Sequence, residues 1–234
     1  MSSEDQVGEF RYTHHAPRLP ALVDGVDATP CAVAIVGGGP VGIALALGLA
    51  NWGVRSVVLE ADDTVCIGSR AACISRRSLE IVDRLGSLPA FLAKGLAWSG
   101  GRSFYRTEEV FRFQMPHDER QRLPPMINLQ QYYIEQYLVD EIERRNRAAS
   151  EPLVDLRWAS EVTRFTPQAD GVALDVHTAL GDYSLRAGWM VACDGGQSMV
   201  RKALGLPLVG TAYEGRYVII DIELHSKHCA ARCR

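Results

Sequence analysis

No apolar run in the 234 residues is long enough to cross a bilayer without glycine or charge; the nearest is Val41 to Ala50. The opening Met-Ser-Ser-Glu-Asp-Gln is acidic and has no signal-peptide core. Basic excess is also missing. A net charge of −3 argues against nucleic acid as a partner. Cysteines stand at 31, 66, 73, 193, 229 and 233 without a disulfide framework, most of them in apolar surroundings as small core residues. A soluble cytoplasmic protein with no membrane partner is the default expectation. Signatures of nucleophilic catalysis, Ser/His/Asp or Cys/His, are lacking too. None of the eight tyrosines is followed four residues later by lysine (Tyr132 meets Gln136, Tyr133 meets Tyr137), which removes the short-chain dehydrogenase motif. Apolar residues are not scarce: at 47% hydrophobic the chain can bury a core, as one large domain or two small ones.

The stretch Ala32 to Ala50 organises the rest. Val33 to Val36 reads as a buried parallel strand, and a small-residue helix runs from Pro40 to about Trp52. Between them Gly37, Gly39 and Gly42 fit G-x-G-x-x-G. Gly37 permits the tight turn, Gly39 lets a pyrophosphate approach the backbone, and Gly42 lets helix and strand pack closely. Pro40 suits the first helical turn, and the helix N-terminus offers free N–H groups to phosphate. A second strand, Val54 to Leu59, ends on Glu60, near the spacing of an acid that hydrogen-bonds a ribose hydroxyl. Strand, turn, helix, strand and acid arrive in the order of a dinucleotide site.

Residues 1–30 read as an irregular surface arm that includes the pair His14-His15. Ser75 predicts the cap of a helix from Arg76 to Leu85, ended by Gly86. Arg70, Arg76 and Arg77 cluster near its start, where a bound phosphate would compensate charge that disfavours a helix N-terminus; a solvated basic surface is the alternative. Ser103–Arg106 and Val110–Gln114 predict an aromatic hairpin in a separate sheet, followed by a polar loop from Pro116 to Pro125. An amphipathic helix spans about Asn128 to Arg147, with Asn128 as its expected cap. Leu153–Trp158, Glu161–Phe165, Val172–His177 and Tyr183–Arg186 predict an antiparallel meander. Trp189–Cys193 is then expected as a buried parallel strand opening on Asp194-Gly195-Gly196, with a helix from Ser198 to Leu204 and a long strand over Tyr213–Leu224. His225, His228, Cys229 and Cys233 have residue types that suit zinc, but the spacing is cramped and accidental composition is the preferred reading.

From Val33 to Leu224 the chain resembles the FAD-dependent aromatic-ring hydroxylases of the para-hydroxybenzoate hydroxylase type, closest to the 3-(3-hydroxyphenyl)propionate and related phenolic hydroxylases. Four motifs carry the resemblance. Gly37-Gly-Gly-Pro40-Val41-Gly42, with Glu60 and the adjoining Ala61, matches the part that holds the ADP half of FAD. Arg70 matches an arginine lying against the flavin nucleotide, and Gln131 matches a glutamine that contacts FAD. Cys193-Asp194-Gly195 matches the Asp-Gly motif implicated in both FAD and NAD(P)H binding.

The resemblance implies an α/β, Rossmann-like FAD-binding fold of the GR2 type, with a β-meander and an inserted, incomplete antiparallel substrate-domain sheet. It implies residues 31–95 and 126–210 as the FAD-binding domain, 96–125 and 211–234 as part of a substrate-binding domain, and 1–30 as the arm. FAD is the expected cofactor, with NADH or NADPH as co-substrate and a small phenolic substrate and O2 as partners; a homodimer is one possible assembly, and the oligomeric state is open because family members often dimerise through regions that have no counterpart here. The implied reaction is hydroxylation through a flavin C4a-hydroperoxide, and no catalytic side chain is assigned. A further Gly-Asp motif that binds FAD in the family has no counterpart here, so a truncated form is expected, with a non-catalytic FAD-fold module or inactive remnant as the rival.

Overall fold

The computed structural model describes residues 6–7, 9–68, 70, 72–118, 120–211 and 214–215. Apart from Glu214 and Gly215, the strand expected over Tyr213–Leu224 and the His/Cys group after it therefore lie outside the described residues. Two small antiparallel pairs open the chain: β1 (Gln6–Val7) with β2 (Phe10–Arg11), and β3 (Leu22–Val23) with β4 (Val26–Asp27). The glycine turn then joins β5 (Cys31–Val36) to α1 (Pro40–Ala50), and β6 (Ser56–Leu59) follows. Next come β7 (Cys73–Ser75), α2 (Arg76–Leu85), α3 (Leu88–Lys94) and β8 (Leu96–Trp98). The hairpin is β9 (Gly100–Tyr105) with β10 (Glu108–Gln114), and β11 (Met126–Asn128) leads into α4 (Gln131–Ala148). The described chain closes with β12 (Val154–Arg157), β13 (Glu161–Gln168), β14 (Gly171–His177), β15 (Tyr183–Ala192) and α5 (Met199–Ala203).

The principal sheet runs β12-β6-β5-β15-β14-β13, with β4 laid against β15. Its first four strands are parallel and its last two antiparallel. Alternation along β5 explains the unbroken apolar run there. Val33 and Ile35 face the core beneath α1, α2 and α4, while Ala34 and Val36 face the core formed with Leu174 and Leu185 of the meander. Helix α2 forms as expected: the Ser75 hydroxyl accepts from the Ser78 amide, and Gly86 ends it at φ 90°.

Several elements differ from expectation. Leu153–Trp158 belongs to no meander: β12 pairs parallel with β6 at the sheet's far edge. Tyr183–Arg186 and Trp189–Cys193 are one strand, whose first half hydrogen-bonds to β14 and whose second half runs parallel to β5. Beyond Ala187 no described strand covers its other edge, and Trp189 is 74% exposed rather than buried. The helix cap is Gln130, not Asn128, because Asn128 is held in β11 against Cys73 and Leu96.

The described residues among the first thirty are also more tied down than an irregular arm. Phe10 and Tyr12 are buried, with the Phe10 ring 4.6 Å from that of Tyr132. Asp27 pairs at 2.7 Å with the buried Arg157, whose guanidinium also meets the Tyr183 hydroxyl at 3.0 Å. Strands two residues long carry no readable period, so only their partners disclose them.

Candidate functional site: the cleft at the strand ends

The carboxyl ends of β5, β6 and β15 meet at one point, and the glycines decide how closely. Gly37 leaves β5 at φ 102°, where a side chain is strained, and a methyl group added there would lie 2.5 Å from the Cys193 carbonyl oxygen. At Gly42 the same addition would come within 2.0 Å of the Gly37 carbonyl oxygen. Only bare backbone lets the turn, the helix and the end of β15 approach this far. Gly39 is different: an added methyl meets nothing within 4 Å, so that side faces open space at the helix start. As the cap of α1 it offers no side chain, Pro40 follows, and no acidic residue stands in the first turn. The first-turn amides are left for an anion.

That open space is a cleft of about 490 Å³, within the range of small-molecule sites. Every site residue expected from the sequence lines it except Gly42, which packs behind the turn. Thus Gly37, Gly39, Pro40 and Val41 form one side; Glu60 and Ala61 come from the end of β6; Arg70, Gln131, Asp194 and Gly195 complete the wall.

Glu60 is held by backbone amides on both oxygens, from Gly38 at 2.5 Å and from Asp62 at 2.9 Å. Two of its roughly four acceptor positions remain for a ligand's hydroxyl groups. Burial pushes its carboxyl above the ordinary glutamate value, against the pull of those amides. Asp194 goes the other way. Burial opposes its ionisation, but hydrogen bonds from the Ser198 hydroxyl and the Val200 amide prevail and hold it below the usual aspartate value. Ser198 itself caps α5, accepting from the Arg201 amide at 3.0 Å.

Of the three clustered arginines only Arg70 reaches the cleft, from a left-handed φ of 42°. Arg76 donates to the Leu123 carbonyl oxygen at 3.0 Å and meets the His117 ring at 3.1 Å; Arg77 pairs with Glu80 at 2.8 Å. Neither needs a phosphate. Glu135 and Thr64, absent from the sequence expectation, also line the cleft. The position of Glu135 one turn after Gln131 is a signal that sequence could have used. The Thr64 hydroxyl is buried with no partner, a polar atom with nothing to satisfy it. Open backbone amides, an amide-fixed carboxylate, one cation and an unfilled hydroxyl around this volume fit a dinucleotide such as FAD.

Among the described residues no group of histidine, cysteine and carboxylate side chains could hold a metal ion, and no helix is long and apolar enough to cross a membrane. Cys31, Cys66, Cys73 and Cys193 are free thiols.

Comparison with known proteins bears on the same residues. A family model described as FAD binding domain matches residues 30–232. The 3-(3-hydroxy-phenyl)propionate/3-hydroxycinnamic acid hydroxylase of Mycolicibacterium smegmatis is 28% identical over 190 residues, which cover 81% of this chain and 33% of that protein. The corresponding hydroxylase of Escherichia coli O139:H28 is 29% identical over 191 residues, covering 81% of this chain and 33% of that protein. The chain thus spans about one third of the length of these curated relatives. Among solved structures, p-nitrophenol 4-monooxygenase PnpA from Pseudomonas putida DLL-E4 superposes with a TM-score of 0.70 at 28% identity, over 79% of this chain and 46% of that one. The flavin-dependent monooxygenase PieE, solved with FAD and substrate, shares the fold with a TM-score of 0.67 at 24% identity, over 79% of this chain and 33% of that one. The α/β fold is the Rossmann-like, GR2-type FAD-binding fold of these neighbours. Since the family model runs through every element that builds the cleft, the chain belongs to the FAD binding domain family.

Proposed function

We propose that this chain is the FAD-binding part of a monooxygenase that uses NADH or NADPH and O2 to hydroxylate a small phenolic substrate. The observation that carries the reading is the single cleft in which the glycine turn, Glu60, Arg70, Gln131 and Asp194 converge. Relatives named as hydroxylases of hydroxyphenyl acids and of p-nitrophenol support the substrate class. In this reading the amides at the start of α1 bind the pyrophosphate, and Glu60 accepts from the ribose hydroxyls of the ADP half. Arg70 and Gln131 contact the nucleotide from the opposite wall, and Asp194 with Gly195 closes the end nearest β15. When bound, FAD supplies the electron transfer from NAD(P)H and the activation of O2 that the side chains cannot supply. The protein's own work is to bind, orient and exclude water.

Residues 31–95 and 126–210 make up the cofactor domain in this proposal. Residues 96–125 and 211–234 contribute to the substrate side, and 1–30 precede the cofactor domain. The exposed aromatic rings of the β9–β10 hairpin support a substrate-side role for that segment: Phe104, Tyr105 and Phe111 meet solvent. A cytoplasmic enzyme is the corresponding cellular form.

The test is direct. The purified chain is titrated with FAD by fluorescence and visible absorption, then given NADH or NADPH with a set of hydroxyphenyl acids while O2 uptake is recorded. Saturable FAD binding with aromatic-stimulated O2 uptake is the expected result. Tight flavin binding without NAD(P)H oxidation would make the chain a binding module. Failure to take up FAD overturns the reading.

A further inference from the structure

Glu135 is 2% exposed and stands one helical turn after Gln131 on α4. A carboxylate this deeply buried is tolerated only where donors satisfy it. Here they come from two directions. Oε1 accepts from Gln131 Nε2 at 2.8 Å, and Oε2 accepts from the Cys66 amide at 2.6 Å.

Both contacts shape the cleft. Because Oε1 accepts from Gln131 Nε2, the Gln131 amide is held with its NH2 group on Glu135, which leaves its carbonyl oxygen for the cleft it lines. Cys66 lies between Thr64 and Arg70, which line the same wall, and Gly68 on that segment donates to the Tyr12 hydroxyl at 3.3 Å. One buried side chain thus joins the helix bearing Gln131 to the segment bearing Arg70.

We infer that Glu135 is a positioning residue of the cofactor cleft: it turns the Gln131 carbonyl oxygen toward ligand groups that donate, and it pins the Cys66 backbone so that the Arg70 segment forms the wall. The inference rests on the FAD reading of the cleft and adds a chemical preference. Gln131 set this way selects hydroxyl or N–H groups of the nucleotide and disfavours its phosphate oxygens. The Cys66 thiol responds to the same arrangement, pushed up to about 12 by burial first and then by the Glu135 charge.

Three variants of the full chain test this: Glu135→Gln, Gln131→Leu and the double substitution. For each, the thermal midpoint without FAD, the FAD Kd from flavin fluorescence, and iodoacetamide alkylation of Cys66 followed by peptide mass spectrometry are measured. Glu135→Gln keeps the shape but opposes a second NH2 group to one of its two donors. It is expected to weaken FAD about tenfold, the value of one well-made hydrogen bond, with little change in thermal midpoint. Cys66 alkylation should rise even without FAD, because the nearby negative charge is gone. The double variant should lose less than the sum of the two single losses, because the part of the Glu135 effect that acts through Gln131 is already gone, while the Cys66 contact acts separately. Additive losses in the double variant overturn the inference. So does a lowered midpoint with Kd and alkylation unchanged. A wild-type chain without FAD affinity overturns the FAD reading instead, and Cys66 alkylation then still decides whether Glu135 sets this wall.

Discussion

Gly39 and Gly42 sit in the same turn and predict opposite experiments. Alanine at Gly42 places a methyl group 2.0 Å from the Gly37 carbonyl oxygen, so strand and helix must separate. The expected cost is about 3 kcal/mol, read as a lower denaturant midpoint with or without FAD. Alanine at Gly39 meets no protein atom within 4 Å, so the midpoint should hold while FAD affinity falls. Equal effects on stability would show that the open side of Gly39 is not the ligand's space. Glu60 adds a pH dependence. Its folded-state carboxyl is raised above 4.5, so the native state holds its proton more tightly than the unfolded one. Its contribution therefore favours folding at low pH and is lost as pH rises from 4.5 through the folded value. Glu60→Gln should flatten that decline and at the same time weaken FAD. A steeper decline in the variant would contradict the sign.

Among the elements, α2 is the most readable. Its cap, apolar stripe and terminal glycine are all local in sequence, and the structure keeps each of them. Ser75→Ala removes the hydroxyl that accepts from Ser78 and should cost about 1 kcal/mol, a fall of roughly 2–4 °C in a thermal scan. The turn between β5 and α1 is legible for the same reason: its chemistry is written within a few consecutive residues. Elements defined by distant partners are not. The alternating Val154-Asp-Leu-Arg157 pattern of β12 fits an antiparallel hairpin as well as a parallel edge, and only its register with Ser56–Leu59 settles the matter. Gly188 interrupts the pattern of β15 and invites a break, yet the backbone passes through it extended from one partner to the next. Asn128 has the chemistry of a cap, but pairing with β7 and β8 claims it first. The cleft is more legible than the fold around it because the glycines, Glu60, Gln131 and Asp194 belong to short motifs. Glu135 is less so, since its partner Cys66 is 69 residues away.

Across the whole molecule, the ion pair of Arg157 with Asp27 fastens the opening residues to the sheet. Both side chains are essentially sealed from water, at 2% and 0% exposure, so removing Arg157 leaves the buried Asp27 carboxylate with the Thr29 amide as its remaining donor. Arg157→Ala should cost roughly 3–5 kcal/mol and release the first thirty residues to limited proteolysis. A protease-resistant variant would mean that Phe10 and Tyr12 anchor this segment unaided. A second property follows from β15, which begins in the meander and ends at Ala192, two residues before Asp194. The strand works as a ruler with its zero mark at the Gly181-Asp182 turn. Each residue advances the chain about 3.3 Å and reverses the side on which side chains project. One residue inserted between Tyr183 and Gly188 would carry Asp194 out of the cleft and bring the wrong neighbour into it, however well the sheet repaired its hydrogen bonds. The same insertion in the turn just before the ruler begins would leave the graduation unchanged. Evolution can therefore lengthen the turn freely, while the strand's count of residues is as constrained as any side chain in the cleft.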